Sequence, residues 1–462
     1  MKTRSLFNVL RVGIALIGYL CSPVDAQTIY KEPYLIDSGV HNGVVEETKT
    51  VFVDVAFVPN AQWMRLHIKD YSLGAESYVT LTSLEDGKQQ FLDTESIPKW
   101  YNLSAYFIGD VVLVELHVDP GEKDIFVVID EVIVGSAGTD DGDLAPDAKT
   151  ICGDADNRIS STDPRVGRLV FTYGGICTGW LIPNGLVLSA GHCGDPDGDF
   201  TGVIMEFNVP QSTADGGRAN ANPEDRYAVN TAGMSFEADG TGEDWAVFRL
   251  DPNNVTSLRA HDVQGFFKIT TTTPVEDTTM RVTGHGIDPF PPGPGPGTCG
   301  EDDEYFCNSD SLTQQTAIGR FDELSGTTLE YEVDTMPAGS GSPVIWNGIG
   351  YAVGIHTDGG CGDIVVGDEN HGTWFGYEAL RDAILAANPS NAVWVDAEAP
   401  IFLFDFGSVF YPYKTVSKAV ALAPSGSVIN IYSGSYPAPF VAGQNGKSMT
   451  LVSQLGGVVI GE

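Results

Sequence analysis

The chain has 462 residues, enough for two or three domains. Its 62 acidic residues against 25 basic ones leave a formal net charge of -37. That balance argues against nucleic acid and anionic membrane surfaces as partners, because both need basic patches. It reads instead as a solvated acidic surface, suited to a secreted, salt-tolerant or calcium-exposed protein.

Residues 1–26 read as a secretory signal peptide. Lys2, Arg4 and Arg11 precede the apolar run Val12 to Leu20, which is too short to span a membrane. Val24-Asp25-Ala26 offers a cleavage site that leaves Gln27 first, and Cys21 departs with the signal. Leu20 argues against a lipoprotein site, where a small residue is expected. No later stretch is long and apolar enough to serve as a membrane anchor. Six cysteines remain: Cys152, Cys177, Cys193, Cys299, Cys307 and Cys361. An even count behind a signal implies disulfides and an extracellular destination. No CxxC pair is present, so no zinc site is expected, and neither metal nor cofactor is predicted.

Residues 27–137 form a region without cysteine. Met64 to Lys69 alternates apolar and polar, Val51 to Phe57 does so less cleanly, and Val111 to Val118 and Ile125 to Val134 are further β-rich runs. Turn residues separate them, which predicts an antiparallel β-sandwich. His67 and His117 are expected on solvated strand faces. The region could be a pro-domain that shields the active site or assists folding. It could equally be a permanent accessory domain, for carbohydrate or surface binding. Nothing in its sequence decides between them. Residues 138–150 are a Gly-, Ala- and Asp-rich linker open to cleavage, with Lys149-Thr150 or a nearby bond as a candidate maturation site.

The most informative stretch follows. Cys177-Thr178-Gly179-Trp180-Leu181-Ile182 reads as a buried strand, Pro183-Asn184-Gly185 as a turn, and Leu188-Ser189-Ala190-Gly191-His192-Cys193 as a second strand ending in a histidine. A Cys177–Cys193 disulfide would staple the two strands and fix the backbone beside His192, and placement is the first requirement of a general base. Farther on, Asp244 heads the apolar run Trp245 to Leu250, and Ser340 sits in the glycine-rich turn Gly339-Ser340-Gly341-Ser342 before Pro343-Val344-Ile345. A serine hydroxyl is a weak nucleophile until an imidazole takes its proton, and a buried carboxylate holds that imidazole in the right tautomer.

These motifs, in the order His, Asp, Ser, resemble the chymotrypsin-fold (trypsin-like) serine peptidases over roughly residues 152–388. The resemblance implies two six-stranded β-barrels with the catalytic triad in the cleft. It makes His192 the general base, Asp244 its orienting acid and Ser340 the nucleophile, with the N–H groups of Ala338 and Ser340 as the oxyanion hole. Ala338 stands where most members carry glycine, and Gly339 where an Asp or Asn is usual. The activation switch that buries a new N-terminal amine against that acid is therefore not expected here.

Within the family the resemblance is closest to bacterial glutamyl endopeptidases. Thr335 lies five residues before Ser340, at the wall of the primary specificity pocket. Gly354-Ile355-His356 matches the run whose histidine, with a threonine like Thr335, holds a glutamate carboxylate. Asn370-His371-Gly372-Thr373-Trp374-Phe375, followed by a helix, is similar to the way those enzymes end. Two paired donors suit one carboxylate, and no acid stands at Thr335 to attract Lys or Arg. His356, if protonated, would supply the positive contact.

Three pairings are open to the remaining cysteines. Cys299–Cys307, closing a short loop, and Cys152–Cys361, tying the domain's start beside the pocket, are favoured. Asp195-Pro196-Asp197-Gly198-Asp199 lacks complete EF-hand spacing and is expected to be a solvated turn. Gly284-His285-Gly286 is expected to turn on the substrate side, and Pro289 to Gly297 to form a surface loop. Tyr377, Leu380 and Ile384 share one face of a helix ended by Asn388-Pro389, expected to pack on the second barrel. In residues 394–462, a short helix over Thr415 to Ala423 and the strands Val428 to Ile431, Met449 to Val452 and Val458 to Ile460 resemble the opening coil of a parallel β-helix.

The chain is thus expected to be all-β: a peptidase domain over 151–390, a β-sandwich before it and a partial β-helix-like segment after it. Its partner would be a protein or peptide substrate. The alternatives are a serine peptidase of other specificity and an inactive peptidase-like binding or adhesion protein.

Overall fold

A computed structural model describes residues 29–44, 46–135, 150–153, 156–172, 174–194, 198–212, 218–288, 309–361, 369–400, 405–437 and 446–461. The signal peptide, most of the 138–150 linker, Asp195-Pro196-Asp197, the Pro289 to Gly297 loop and the Cys299–Cys307 pairing lie outside these residues.

The N-terminal region is two antiparallel four-stranded sheets. One orders its strands Ile29–Asp37, Phe126–Gly135, Trp63–Ser72 and Phe107–Ile108; the other orders Lys49–Phe57, Val111–Val118, Tyr78–Ser83 and Gln89–Leu92. In Val111–Val118 the burial alternates strictly: Val112, Val114, Leu116 and Val118 face the core. That period of two is what a strand half-covered by a second sheet requires.

The region after residue 150 begins with a closed six-stranded barrel, formed in order by Val166–Val170, Ile176–Ile182, Leu186–Ser189, Asp244–Leu250, Arg226–Ala238 and Ile204–Glu206. The Pro183-Asn184-Gly185 turn works because Asn184 adopts φ 67° and Gly185 φ 68°, a region that Asn and Gly tolerate best. The second barrel runs through Tyr351–Asp358, Pro343–Trp346, Thr279–Gly284, Gln315–Ser325, Thr328–Glu332 and Asn370–Trp374, which pairs back to Tyr351–Asp358. The all-β double barrel is therefore as expected.

The helix Glu378–Ala387 corrects one expectation. It buries Leu380 and Ile384 in the core of the first barrel rather than the second. Arg249, on a first-barrel strand, donates to the Ala387 carbonyl at 2.8 Å, and Tyr377 donates to Glu237 at 2.9 Å. The apolar face fixed that some surface would be covered, but not which. The strand Asn370–Trp374 delivers the chain beside Asp244, a first-barrel residue, which brings the helix against that barrel's strands.

After residue 391, the strands Ala392–Val395, Val428–Tyr436 and Thr450–Ile460 pair in parallel and in chain order. The helix Val416–Leu422 covers one face, capped by the Thr415 hydroxyl. No helix among the described residues is long and apolar enough to cross a membrane.

Candidate active site between the two barrels

His192 lies in the short turn Gly191–Cys193 that ends the strand Leu186–Ser189. The disulfide Cys177–Cys193 ties that turn to the neighbouring strand, with Cα atoms 6.2 Å apart. Asp244 is buried at the head of Asp244–Leu250, and its Oδ2 lies 2.5 Å from His192 Nδ1. Its other oxygen accepts the N–H groups of Gly191 at 2.6 Å and His192 at 3.0 Å. One carboxylate thus orients both ring and backbone of the histidine. Thr373 clamps Asp244 from the second barrel: its hydroxyl donates to the Asp244 carbonyl at 2.7 Å and accepts the Asp244 N–H at 3.2 Å. Burial opposes charge on His192, but the hydrogen bond and charge of Asp244, aided by Asp358, outweigh it and raise the imidazole above its ordinary pKa.

Ser340 comes from the second barrel. Its carbonyl accepts the Thr178 N–H at 2.9 Å and lies 3.9 Å from the Cys193 sulfur. A Cβ at Gly341 would stand 2.1 Å from the Thr178 carbonyl and 2.4 Å from the Ser189 hydroxyl, so only glycine lets the serine turn seat against the histidine-bearing strands. The Ser340 hydroxyl donates to the Thr357 carbonyl at 3.4 Å rather than to His192. A long, unengaged serine bond is usual before substrate arrives.

The turn before Ser340 is Met336-Pro337-Ala338-Gly339, closed by the Gly339 N–H on the Met336 carbonyl at 2.9 Å. Ala338 has φ 68° at its third position, the geometry of a type II turn with proline second. The N–H groups of Ala338 and Ser340 donate to no acceptor among the described residues. Such a pair of uncommitted donors is what a developing oxyanion needs.

Thr335 and His356 are both buried. Asn370 holds the first: its amide donates to the Thr335 hydroxyl at 3.1 Å, the Thr150 carbonyl at 2.8 Å and the Val333 carbonyl at 2.7 Å. His356 Nδ1 lies 2.8 Å from the Tyr331 hydroxyl, which donates to the His371 carbonyl at 3.0 Å. Burial pushes His356 down to about 3, so it is neutral near pH 7 rather than the positive contact the sequence suggested. Thr335 lines a cavity under the serine turn with Arg158, Asp334, Gly286 and Ser342; His356 is not among that cavity's lining residues.

The segment opening the domain is built into this wall. The disulfide Cys152–Cys361 is present, and Asp334 accepts the N–H groups of Cys152 and Asn157, each at 2.7 Å. Tyr331 was not singled out by the sequence; Asn370 and Thr373 were named only as part of the run Asn370 to Phe375, with no role of their own. Tyr331 sits on the inward phase of Thr328–Glu332, beside Leu329, where a buried hydroxyl must find a partner. Among the described residues no cluster of His, Cys, Asp and Glu suits a metal.

Residues 151–367, just under half the chain, match the family model described as Trypsin. This part of the chain is a trypsin-family domain, of the serine endopeptidase class of hydrolases. Solved structures similar to the chain include a Glu endopeptidase in complex with MPD, at 19% identity over 51% of this chain and 98% of that one, with a TM-score of 0.37. The protease Anisep from Arthrobacter nicotinovorans matches at 14% over 47% and 93%, with a TM-score of 0.33. A scabies mite inactivated protease paralogue matches at 12% over 48% and 93%, also at 0.33. No curated protein matches the chain.

Proposed function

We propose that this protein is a secreted serine endopeptidase that cleaves after Glu, or Asp, through an acyl-enzyme. The observation that carries the reading is the 2.5 Å His192–Asp244 pair facing a serine turn with two uncommitted N–H groups. His192 takes the Ser340 proton as the hydroxyl attacks the scissile carbonyl. The N–H groups of Ala338 and Ser340 receive the oxyanion, and His192 returns the proton to the leaving amine. Water then repeats the sequence on the ester. Thr335 and His356 are assigned to the substrate's acidic side chain, supported by their anchorage to one strand, Thr335 through Asn370 and His356 through Tyr331 to the His371 carbonyl.

In this reading residues 1–26 are removed on export, 27–137 form the sandwich, 138–150 the maturation linker of a zymogen and 151–390 the peptidase. Cys299 and Cys307 pair in the loop between them, and 394–462 form a partial β-helix-like segment, supported by parallel strand pairing. The test is a peptide panel that differs only in the residue before the scissile bond, with Ser340→Ala as control. Glu preference lost in the control and weakened by His356 substitution supports the reading. Cleavage after other residues removes the pocket assignment, and inactivity of matured protein points to a binding module.

A further inference from the structure

The N-terminal sandwich and the first barrel share one hydrophobic cluster. Val170, Ile204 and Ala228 of the barrel are buried among sandwich residues that include Trp63, Tyr106 and Phe107. Polar groups cross the same boundary. The Tyr106 hydroxyl donates to the Phe171 carbonyl, and the Tyr106 carbonyl accepts Asn220 at 3.0 Å and Arg226 at 3.3 Å. Arg65, with 0% exposure, donates to Ser104 at 2.7 Å within its own domain and to the Gly202 carbonyl of the barrel at 3.3 Å. The Arg218 guanidinium lies 5.0 Å from the Tyr106 ring and 5.7 Å from that of Trp63. Separating the two halves would expose this apolar surface and take one acceptor each from the buried guanidiniums of Arg65 and Arg226, a cost that favours their staying together.

The boundary also reaches the active site. Ile176 packs against the shared cluster and against a second one made of Ile287, Leu312, Met336 and Ala338, which contains the turn before Ser340. The next residue, Cys177, is bonded to Cys193 beside His192. Thr178 then holds the serine turn at two points: its N–H donates to the Ser340 carbonyl at 2.9 Å and its hydroxyl to the Ala338 carbonyl at 3.3 Å. Three consecutive residues therefore run from the sandwich to the serine turn.

We propose that the sandwich is a permanent half of the peptidase, which stays bound after the linker is cut and braces the serine turn through Ile176, Cys177 and Thr178. The bracing part rests on Ser340 being the nucleophile; the persistence of the complex does not. The test starts from the full chain with a site-specific protease site placed within residues 138–149. After cutting, the two fragments should co-elute in gel filtration, and the complex should label with a fluorophosphonate at least as fast as the uncut chain. Elution of the sandwich as a separate species overturns the proposal. In the cut complex, Ile176→Ala should lower kcat roughly ten-fold with KM little changed, as expected when a reacting group is slightly misplaced. An unchanged kcat overturns the brace. Co-elution without any labelling would support the permanent half while sinking the catalytic reading, so the two failures are distinguishable.

Discussion

The Tyr331 hydroxyl lies 2.8 Å from His356 Nδ1 and gives its own proton to the His371 carbonyl. In the tautomer with the proton on Nδ1, that oxygen accepts from Nδ1–H and neutral His356 presents Nε2 without a proton. A carboxylate bound there requires a proton on that nitrogen, so binding draws one from solvent. Affinity for an acidic side chain then falls as pH rises, while affinity for a neutral one does not. KM for Glu peptides should climb between pH 6 and 9 against a flat Gln series. Tyr331→Phe should lower the Glu-over-Gln ratio by about ten-fold, the worth of one hydrogen bond to a charged group.

The proposed mechanism requires His192 neutral, and Asp244 holds its pKa above the ordinary value of about 6.5. The rising limb of kcat/KM against pH should lie above that value. Asp358 contributes to the shift, so Asp358→Asn should move the limb toward lower pH. A limb that stays put would show that the Asp358 charge does not reach the imidazole.

Asp244→Asn keeps the size of the side chain but cannot hold the imidazole in the required tautomer. By the triad logic it should lower kcat about 10⁴-fold. The folded state should survive, because Thr373 contacts only the Asp244 backbone. Far-ultraviolet circular dichroism alongside the kinetics separates the two effects.

Ala338 carries φ 68°, where a side chain costs about 1–2 kcal/mol over a right-handed residue and glycine costs nothing. Glycine loses about 0.5–1 kcal/mol through chain entropy. Ala338→Gly should therefore be neutral to slightly stabilising in urea unfolding, with kcat retained. Ala338→Val should lose both stability and activity.

Glu206 is buried between Arg168, at 2.6 Å, and Arg226, at 3.6 Å. Burial alone would raise its pKa, but the two guanidiniums lower it. Its contribution to stability is present above the unfolded value near 4.3 and is lost as pH falls through the folded one. Glu206→Gln leaves two buried cations uncompensated and should cost about 3–5 kcal/mol at pH 7 in denaturant unfolding.

His192, Asp244 and Ser340 could be picked out because each sits in a local signature: a histidine before a cysteine, an acid heading an apolar strand, a serine among glycines. Those signatures arise from short-range demands, such as a tight turn or a buried strand, and so they survive in one dimension. The sandwich was legible for the same reason, through the period-two burial of Val111–Val118. Tyr331 left no such trace, and the run holding Asn370 and Thr373 did not show what those two residues hold. Each acts on a residue at least 25 positions away, across strands whose pairing is set by barrel closure. The neutral state of His356 likewise depends on burial by distant chain, which no local pattern encodes. The helix face was readable from Leu380 and Ile384, but its acceptor surface was decided by where the strand Asn370–Trp374 delivers the chain. The sequence by itself determined which chemical groups are present and how each strand turns its faces. Only the tertiary structure decided which groups meet, because partner choice is a long-range outcome of barrel closure and of burying the remaining apolar faces.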